Sequence, residues 1–442
     1  MDTVPSIPHL DRLIDLARKE CRAFEHLEKL CELCADEGPR MPCTPGDVAA
    51  IAWAKATMLD AGLANVHAET VTAPVWTRGE KEERCMIVEP RTLDLEIAAL
   101  GGSAGTPAEG IFEEVIAFSS LEALDAAPID EVKGKIVYLN HPIQYLPDGT
   151  GYDAASSEVR ISGPSRAANK DAMGLLMRSA NLSAAAQAGA LTYGRARHIP
   201  VAALAVKSFA ALDNFLRKGA RVRIRLTLSC FNLPPGESAN VIGEVVGSDL
   251  AEEIVLLGAH LDSWDLGQGA FDGAGCAIAI EVARLIAALP HRPRRTVRTV
   301  LFANKEMGTS GGLAYASAHT AEAPRHVVAL EADQGGGVPL TLRVPALAGE
   351  HALTKALCEN IAPLGIALDS GTSRGADDIA PLRQLGVPIV DVLQDTSLYL
   401  QLRHTEGDVL EVVERADLET ATLAFAVAVW VLANAEGDFR VK

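Results

Sequence analysis

The sequence predicts an α/β protein with a mostly parallel mixed sheet flanked by helices on both faces, interrupted by a smaller inserted α/β domain. From residue 239 onward, strand-like and helical segments alternate, which is the pattern of a sheet covered on both faces. The 442 residues exceed the length at which one hydrophobic core usually stops growing, so two packed units are expected. Between residues 93 and 236, shorter strands and helices alternate, which indicates a separate small domain.

The N-terminal segment predicts two surface helices, at residues 7–33 and 46–61, because apolar residues recur there at helical spacing. Strand-like runs follow at 66–75 and 85–89. A stretch rich in Gly, Ala and Pro at 101–110 then marks the first change in composition.

The inserted domain is predicted from short elements of both types. These are strands at 135–139, 200–204 and 222–228, and helices at 166–173 and 209–218. The breaker cluster from Asn232 to Gly236 is expected to end the strands and form a linker. We therefore place the insert at 93–236, within a discontinuous catalytic domain made of 1–92 and 237–442.

The remaining elements of the catalytic domain form a long alternating series. Its strands are predicted at 254–258, 296–303, 326–332 and 387–393, and its helices at 275–289, 311–319, 350–364, 377–385 and 415–436. Ligands of such sheets bind beyond the carboxyl ends of the strands. Those ends are therefore the place to look for chemistry.

Composition and charge restrict the partners and the compartment. A formal net charge of -18 would repel a phosphate backbone, so nucleic acid is not an expected partner. No apolar stretch reaches the roughly 20 residues needed to cross a bilayer, so no membrane span is predicted. The N-terminus lacks the features of a secretory signal, which predicts a cytoplasmic protein as the sequence stands, or a secreted or periplasmic one if a leader has been removed.

The eight cysteines form no regular framework, and free thiols are expected. Cys31 and Cys34 have metal-site spacing, but no second pair completes a tetrahedral zinc site. Their helical context favours packing on the core face of a helix.

Polar side chains follow the predicted strands at the ends that share one rim of the sheet. His260 and Asp262 follow the first strand, and Glu306 follows the second. Asp333 follows the third strand, and His404 lies beyond the fourth. The set is completed by Asp272, predicted in a glycine-rich loop where small residues let backbone approach an ion closely.

Two imidazoles and three carboxylates at one rim would repel or take up protons without cations, and this donor set suits Zn²⁺. Five ligands suit two zinc ions per chain that share a bridge. We expect Asp272 to bridge, with His260 and Asp333 on one ion and Glu306 and His404 on the other. Asp262 is then a neighbouring carboxylate that fixes the imidazole tautomer. Taken singly, Asp333 could instead belong to a turn, and the isolated His319 and His326 are expected to be packed or surface residues.

Residues 260–272, which read HLDSWDLGQGAFD, resemble the metal-binding segment of the carboxypeptidase Q branch of the two-zinc aminopeptidase family. Further similar segments extend the resemblance over nearly the whole chain: 76–80, 89–91, 105–107, 132–137, 292–296, 330–333, 386–388 and 404–408. The resemblance implies a zinc-exopeptidase fold, a protease-associated domain as the insert and the metal ligands assigned above. It also implies a homodimer and dipeptides or short peptides as substrates, hydrolysed through a metal-bridging hydroxide. Asp377, Asp378 and Tyr399 match the part of the family that lines the substrate side.

The sequence departs from this family at Lys305, where the family has the glutamate that acts as general base. Three interpretations remain open: an inactivating substitution, a lysine that acts as the base, or a side chain that turns into solvent. Repulsion by metal ions predicts that a charged Lys305 does not point inward. An impaired hydrolase of peptides, amides or N-acyl amino acids is the leading interpretation. A non-catalytic scaffold on the same fold, as the transferrin receptor is in this superfamily, is the alternative, and acyl transfer of the glutaminyl cyclase kind is disfavoured by the insert.

Overall fold

The computed structural model describes residues 7–141, 150–181, 185–345 and 351–440, without the side chains of 150–157. The chain forms two compact units. Unit 1 contains residues 1–73, 236–399 and 408–442, and unit 2 contains 74–235 and 400–407. The assignment of 93–236 as an inserted protease-associated domain stays a prediction.

The described strands and helices are numbered in chain order. The strands are β1 Ala64–Thr77, β2 Arg84–Glu89, β3 Leu93–Leu95, β4 Ile97–Ala99, β5 Ile111–Phe118, β6 Ile136–Leu139, β7 Gly174–Arg178, β8 Val201–Leu204, β9 Arg223–Thr227, β10 Phe231–Val245, β11 Leu250–His260, β12 Arg295–Phe302, β13 His326–Glu331, β14 Pro339–Val344, β15 Ala367–Thr372 and β16 Asp391–Gln394. The helices are α1 Leu10–Glu20, α2 Ala23–Glu37, α3 Pro45–Asp60, α4 Leu121–Ala126, α5 Ile129–Val132, α6 Thr150–Asn169, α7 Val206–Arg217, α8 Ala270–Ala287, α9 Ser310–Ala318, α10 Ala352–Ile361, α11 Ala380–Gln384, α12 Tyr399–Leu402 and α13 Arg415–Asn434.

Unit 1 is built on a five-stranded sheet of order β1-β10-β12-β11-β13. β11 runs parallel to β12 and β13, whereas β10 is antiparallel to β12. Because His260 pairs with Phe302 and Gly258 pairs with Glu331, the carboxyl ends of β11, β12 and β13 meet at one edge. That edge receives the segments that contain most of the predicted ligands.

Helices cover both faces of this sheet. Leu256 belongs to a buried cluster with residues of α9 and α11. Ala259 points to the opposite face, because side chains alternate along a strand, and there it lies close to Gly275 of α8. α8 packs against α2 and α13 and is almost entirely buried. The predicted α/β class, with a mixed sheet between helices, is therefore confirmed.

The predicted helix at 7–33 is wrong as a single helix. Cys21 has an extended backbone (φ −60°, ψ 130°) and separates α1 from α2. Both helices bury one face, with Leu13 and Leu27 fully buried. The apolar spacing continues across the break because both segments pack on the same core, so spacing alone did not reveal it.

The predicted linker at 232–236 lies inside the long strand β10. Pro234 and Pro235 are exposed there. The fixed φ of proline is compatible with an extended strand. Proline is tolerated where no neighbouring strand would accept a hydrogen bond from its backbone nitrogen. A breaker cluster therefore did not break this strand.

The predicted fourth strand, 387–393, is divided between two sheets. Its first half meets the main sheet: Ile389 forms a parallel bridge with Ala329 of β13, with backbone hydrogen bonds from Ala329 to Pro388 (2.9 Å) and from Val390 to Ala329 (3.1 Å). Its second half begins β16, which pairs antiparallel with β14 in a three-stranded sheet of order β15-β14-β16. The prediction of a strand beside β13 is therefore correct only for the first half of the segment.

Two predicted helices of unit 1 differ in length from the observed ones. The helix predicted at 350–364 is α10 followed by a short 3-10 turn, with Glu350 outside the described residues. The helix predicted at 377–385 is the shorter α11, and the residues before it are turns.

Unit 2 contains an eight-stranded sheet of order β3-β2-β9-β5-β6-β7-β8-β4. β5, β6, β7 and β8 are mutually parallel neighbours, and their apolar side chains form a buried cluster that includes Leu139, Leu175 and Val201. The helix predicted at 166–173 is the end of the longer α6, which stops at Asn169. The next residues turn into β7, which the sequence pattern did not separate from the helix.

α13 is long and apolar enough to cross a membrane by length and composition, but 72% of its most apolar window is buried inside the protein. Burial of this kind is typical of a core helix. The eight cysteines are free thiols, as expected. Cys31 is buried in α2, and the Sγ of Cys34 contacts the carbonyl of Gly267 at 3.6 Å.

Candidate metal centre

Three potential ligands meet at the carboxyl edge of the main sheet in unit 1. His260 ends β11, Asp272 lies in the first turn of α8, and Glu306 follows β12. One donor atom from each lies within 4.8 Å of the other two. This convergence was predicted from the strand ends, although Asp272 was predicted to lie in a loop.

Asp272 belongs to a helix because α8 begins at Ala270, earlier than the predicted Gly275. Gly269, the residue just before α8, takes a left-handed conformation (φ 62°) that favours glycine. Gly273 and Gly275 lie within the helix. A carboxylate in a first helical turn is favoured by the positive end of the helix dipole. The glycine-rich composition therefore misled the prediction of a loop.

His260 is held on both sides of its ring and is 1% exposed. Its Nδ1 lies 3.0 Å from the main-chain oxygen of Asp262 and 3.4 Å from the nearer carboxylate oxygen of that residue. Its Nε2 lies 3.1 Å from Oδ1 of Asp333. The shorter Nδ1 contact is therefore to backbone, and this places Nε2 on the side of the other ligands.

The carboxylate of Asp262 shapes the turn that presents Glu306. It accepts hydrogen bonds from the backbone N–H groups of Lys305 (2.9 Å) and Glu306 (3.0 Å). Asn304 precedes them with a φ of 56°, a conformation that asparagine tolerates better than most residues. Asp262 thus links the end of β11 to the end of β12.

Trp264 is a site residue that the sequence analysis did not single out. Its buried indole donates a hydrogen bond from Nε1 to Oε2 of Glu306 at 2.7 Å. The residue lies inside the 260–272 segment, so its position in that motif was an available signal. The contact fixes one oxygen of a carboxylate that would otherwise rotate.

Two further residues hold the segment between His260 and Asp272. The buried Arg40 donates to the carbonyls of Leu261 (3.0 Å), Gln268 (2.9 Å) and Gly269 (2.9 Å). Asp408 accepts a hydrogen bond from the N–H of Phe271 at 2.9 Å, at the start of α8. Arg40 is 221 residues from Leu261 in sequence, and no pattern in the sequence pointed to this contact.

Lys305 points into the centre, with its side chain 8% exposed. Its Nζ donates to Oε1 of Glu306 at 3.0 Å and to Oδ1 of Asp333 at 3.2 Å. Burial alone would lower the pKa of this ammonium, but attraction by Asp333 and Glu306 raises it well above its usual value. The ammonium thus points inward because two carboxylates lie within hydrogen-bonding distance, and the expectation that bound metal ions would turn it outward stays a prediction.

The carboxylates of the centre are strongly perturbed. Burial, followed by the charge of Glu306, raises the pKa of Asp272 well above its usual value. Burial opposes the ionisation of Asp333, but Lys305 and His260 lower its pKa to about 2. Imidazole and carboxylate donors crowded in this way fit Zn²⁺, whose positive charge offsets their mutual repulsion.

The structure gathers four of the five predicted ligands in unit 1, because Asp333 lies against His260. His404 belongs to unit 2, where its carbonyl accepts a hydrogen bond from the N–H of Ala188 and the residue lines a pocket with Arg403 and Ala188. Its role as a ligand stays a prediction.

Of the three predicted substrate-side residues, Asp378 and Tyr399 are buried, whereas Asp377 is exposed. Asp378 is 0% exposed, and burial raises the pKa of its carboxyl to about 8. Tyr399 packs edge-on against Phe271, and its hydroxyl lies 3.5 Å from the carbonyl of Asp333. Tyr399 therefore contacts the backbone of one expected ligand.

His319 and His326 have structural contacts. His319 lies between Glu69 and Glu322, and His326 lies between the hydroxyl of Tyr315 and the carbonyl of Glu322. These contacts fit the packed roles expected for them.

Sequence comparison identifies relatives over most of the chain. The model of peptidase family M28 matches residues 240–429. Carboxypeptidase Q of Bos taurus is 33% identical over 413 residues, which cover 92% of this chain and 85% of the relative. Carboxypeptidase Q of Homo sapiens is 32% identical over 432 residues, covering 96% and 88%.

Solved structures of peptidases are also similar to this chain. A peptidase M28 precursor from Shewanella amazonensis SB2B has a TM-score of 0.90 and 35% identity, with 98% of this chain and 97% of that chain covered. A zinc aminopeptidase from Bacillus subtilis has a TM-score of 0.67 at 18% identity, with 94% and 96% covered, and so shares the fold. The resemblance to the carboxypeptidase Q branch and the exopeptidase fold are thereby confirmed. The chain belongs to peptidase family M28, among its carboxypeptidase Q-like members.

Proposed function

We propose that this chain is a zinc-dependent hydrolase with two ions per chain, which cleaves dipeptides, short peptides or N-acyl amino acids and is impaired by Lys305. The convergence of His260, Asp272 and Glu306 within 4.8 Å in a family M28 chain carries this proposal. Zinc is named in the description of the Bacillus subtilis aminopeptidase, and the donor types here suit the same metal.

The proposed division of ligands follows the sequence argument. Asp272 is shared, His260 and Asp333 hold one ion, and Glu306 and His404 hold the other. When bound, zinc would polarise a scissile carbonyl and lower the pKa of a water molecule. The protein's own part is to orient these donors, through Asp262 at the turn and through the indole of Trp264.

Substrate contacts are proposed at Asp378 and Tyr399. The position of Tyr399 supports its part of this proposal, since its hydroxyl lies 3.5 Å from the carbonyl of Asp333. Because its proton is directed at that carbonyl, the hydroxyl oxygen can accept a hydrogen bond from a substrate N–H group. Replacement with phenylalanine should then raise KM for dipeptides, and an unchanged KM would contradict the role.

Lys305 occupies the position that the family resemblance assigns to the general base. An ammonium has no lone pair with which to accept a proton, and loss of a general base typically removes about 10²- to 10⁴-fold in rate. Its two carboxylate contacts favour the charged form, which argues against the interpretation of Lys305 as a base. Impaired turnover is the consequence that we propose.

Hydrolysis by a Lys305→Glu variant tests this function. Purified wild type and variant, each loaded with zinc, would be assayed on a panel of dipeptides and N-acyl amino acids, with and without chelator. The variant should gain at least about 100-fold in kcat/KM, and chelator should abolish the gain. Lys355→Glu, at an exposed position of α10, is the matched control for the charge change.

A variant that holds zinc but hydrolyses none of the panel would refute impaired hydrolysis. It would instead favour the second candidate, a non-catalytic binding or scaffold protein. The ion pairs of Lys305 with Glu306 and Asp333 are the observation that favours this candidate, since they stabilise the centre without a base.

Two further expectations remain proposals. A homodimer follows from the family resemblance, and the mass of the purified protein by light scattering would test it. A secreted or periplasmic location is supported by the description of the Shewanella amazonensis relative as a precursor. Fractionation of the source cells would separate that location from the cytoplasm.

A further inference from the structure

We propose that Lys305 supplies a built-in cation to the metal centre, so that this chain binds the second of its two zinc ions weakly. The inference rests on the proposed metal centre and deepens it. It concerns how much metal the centre takes up, whereas the proposed function concerns what the centre does to substrates.

The position of the ammonium carries the inference. Nζ of Lys305 contacts Glu306 at 3.0 Å and Asp333 at 3.2 Å. These two carboxylates belong to the proposed ligand sets of different ions. One ammonium therefore competes for a carboxylate oxygen from each set.

The backbone of Lys305 is fixed. Its N–H is bound to Asp262, and the next N–H is bound to the same carboxylate. Asn304, just before it, holds a left-handed turn. Only rotation of the buried side chain could therefore carry Nζ out of the centre, and that rotation would give up both ion pairs.

The charges of the centre point in the same direction. A zinc ion that binds Glu306 or Asp333 would lie close to the ammonium of Lys305, which contacts both carboxylates. Like charges repel strongly in a buried, low-dielectric site. The second ion would be repelled by this ammonium and by the first ion together, so its affinity should fall most.

Zinc binding by Lys305→Met tests this without any reference to activity. Methionine keeps the apolar stem and removes the charge. Metal-free wild type and variant would be titrated with zinc against a chromophoric chelator of known affinity. The variant should bind its second ion on the order of 10- to 100-fold more tightly than wild type, the range by which residues around metal ligands change affinity.

Thermal unfolding supplies an independent readout. In excess chelator, Lys305→Met should melt below wild type, because Glu306 and Asp333 lose their buried partner. Saturating zinc should raise the Tm of the variant more than that of wild type. Lys355→Met, at an exposed site on α10, should match wild type in both experiments.

The outcomes separate this inference from the proposed function. If wild type binds two ions as tightly as Lys305→Met, the built-in cation is refuted and the two-zinc centre stands. If neither protein binds zinc, both the centre and this inference fail. The inference would be supported if Lys305→Met binds its second ion more tightly, melts below wild type in chelator and gains more Tm than wild type in saturating zinc.

Discussion

Arg40 gives the clearest test of what holds the segment between His260 and Asp272, which contains two of the proposed metal ligands. Its guanidinium is buried and donates to three carbonyls of the segment between His260 and Asp272. Replacement with methionine keeps a similar volume and removes every one of these donors. The perturbation therefore removes the support of the segment and leaves its own residues unchanged.

The magnitude follows from the three lost bonds. A hydrogen bond to a charged group contributes about 1.5 kcal/mol or more, so three contribute roughly 4.5 kcal/mol. Removing a buried charge recovers part of its desolvation cost, and the net loss should be about 3 kcal/mol. Lysine at position 40 keeps the charge but cannot reach three carbonyls in a planar fork, so Arg40→Lys should lose nearly as much.

Urea unfolding followed by tryptophan fluorescence measures this loss. Three of the four tryptophans, Trp53, Trp264 and Trp430, lie in unit 1, so the signal reports mainly on that unit. Arg12→Met, at an exposed position of α1, is the control and should change stability by less than about 0.5 kcal/mol. An Arg40→Met protein that loses less than about 1 kcal/mol would refute the reasoning, since three buried carbonyls would then need no partner.

Two other residues of unit 1, Trp264 and His326, give further predictions. Trp264→Phe keeps an aromatic ring but removes the N–H donor to Glu306. Zinc affinity, measured by competition with a chelator, should fall on the order of 10-fold. Equal affinity in variant and wild type would exclude a positioning role for Trp264. Burial lowers the pKa of His326 to about 4, so the unfolded state binds more protons between about pH 6.5 and 4. The free energy of unfolding should therefore fall by about 3 kcal/mol as pH drops through that window, and His326→Gln should remove that part of the slope.

The convergence of the proposed ligands at the strand ends could be predicted because it depends on sheet geometry. His260 ends one parallel strand, and Glu306 and Asp333 follow its two neighbours, so correct strand assignment was enough to bring them together. Asp272 required a helix boundary. The glycines around it favoured a loop, but only Gly269 adopts the left-handed conformation that a break requires.

Other features could not be predicted because they depend on contacts distant in sequence. Arg40 meets Leu261 across 221 residues, and no periodicity encodes such a pair. Likewise, 387–393 has an ordinary strand pattern. Its second half leaves β13 and pairs with β14, because it packs with two strands that were not predicted, β14 and β15.

The direction in which the Lys305 side chain points could not be predicted either, because it depends on which charges lie nearest in the folded protein. The sequence revealed that a lysine stands where a carboxylate was expected, but the sign of the force on its ammonium depends on which charges lie nearest. A centre dominated by cations would repel it, whereas Glu306 at 3.0 Å and Asp333 at 3.2 Å attract it. These carboxylates follow different strands and meet only in the folded sheet. The proposed competition between the ammonium and a second zinc ion therefore depends on the fold, and replacing that single charge should change zinc affinity in the direction given above.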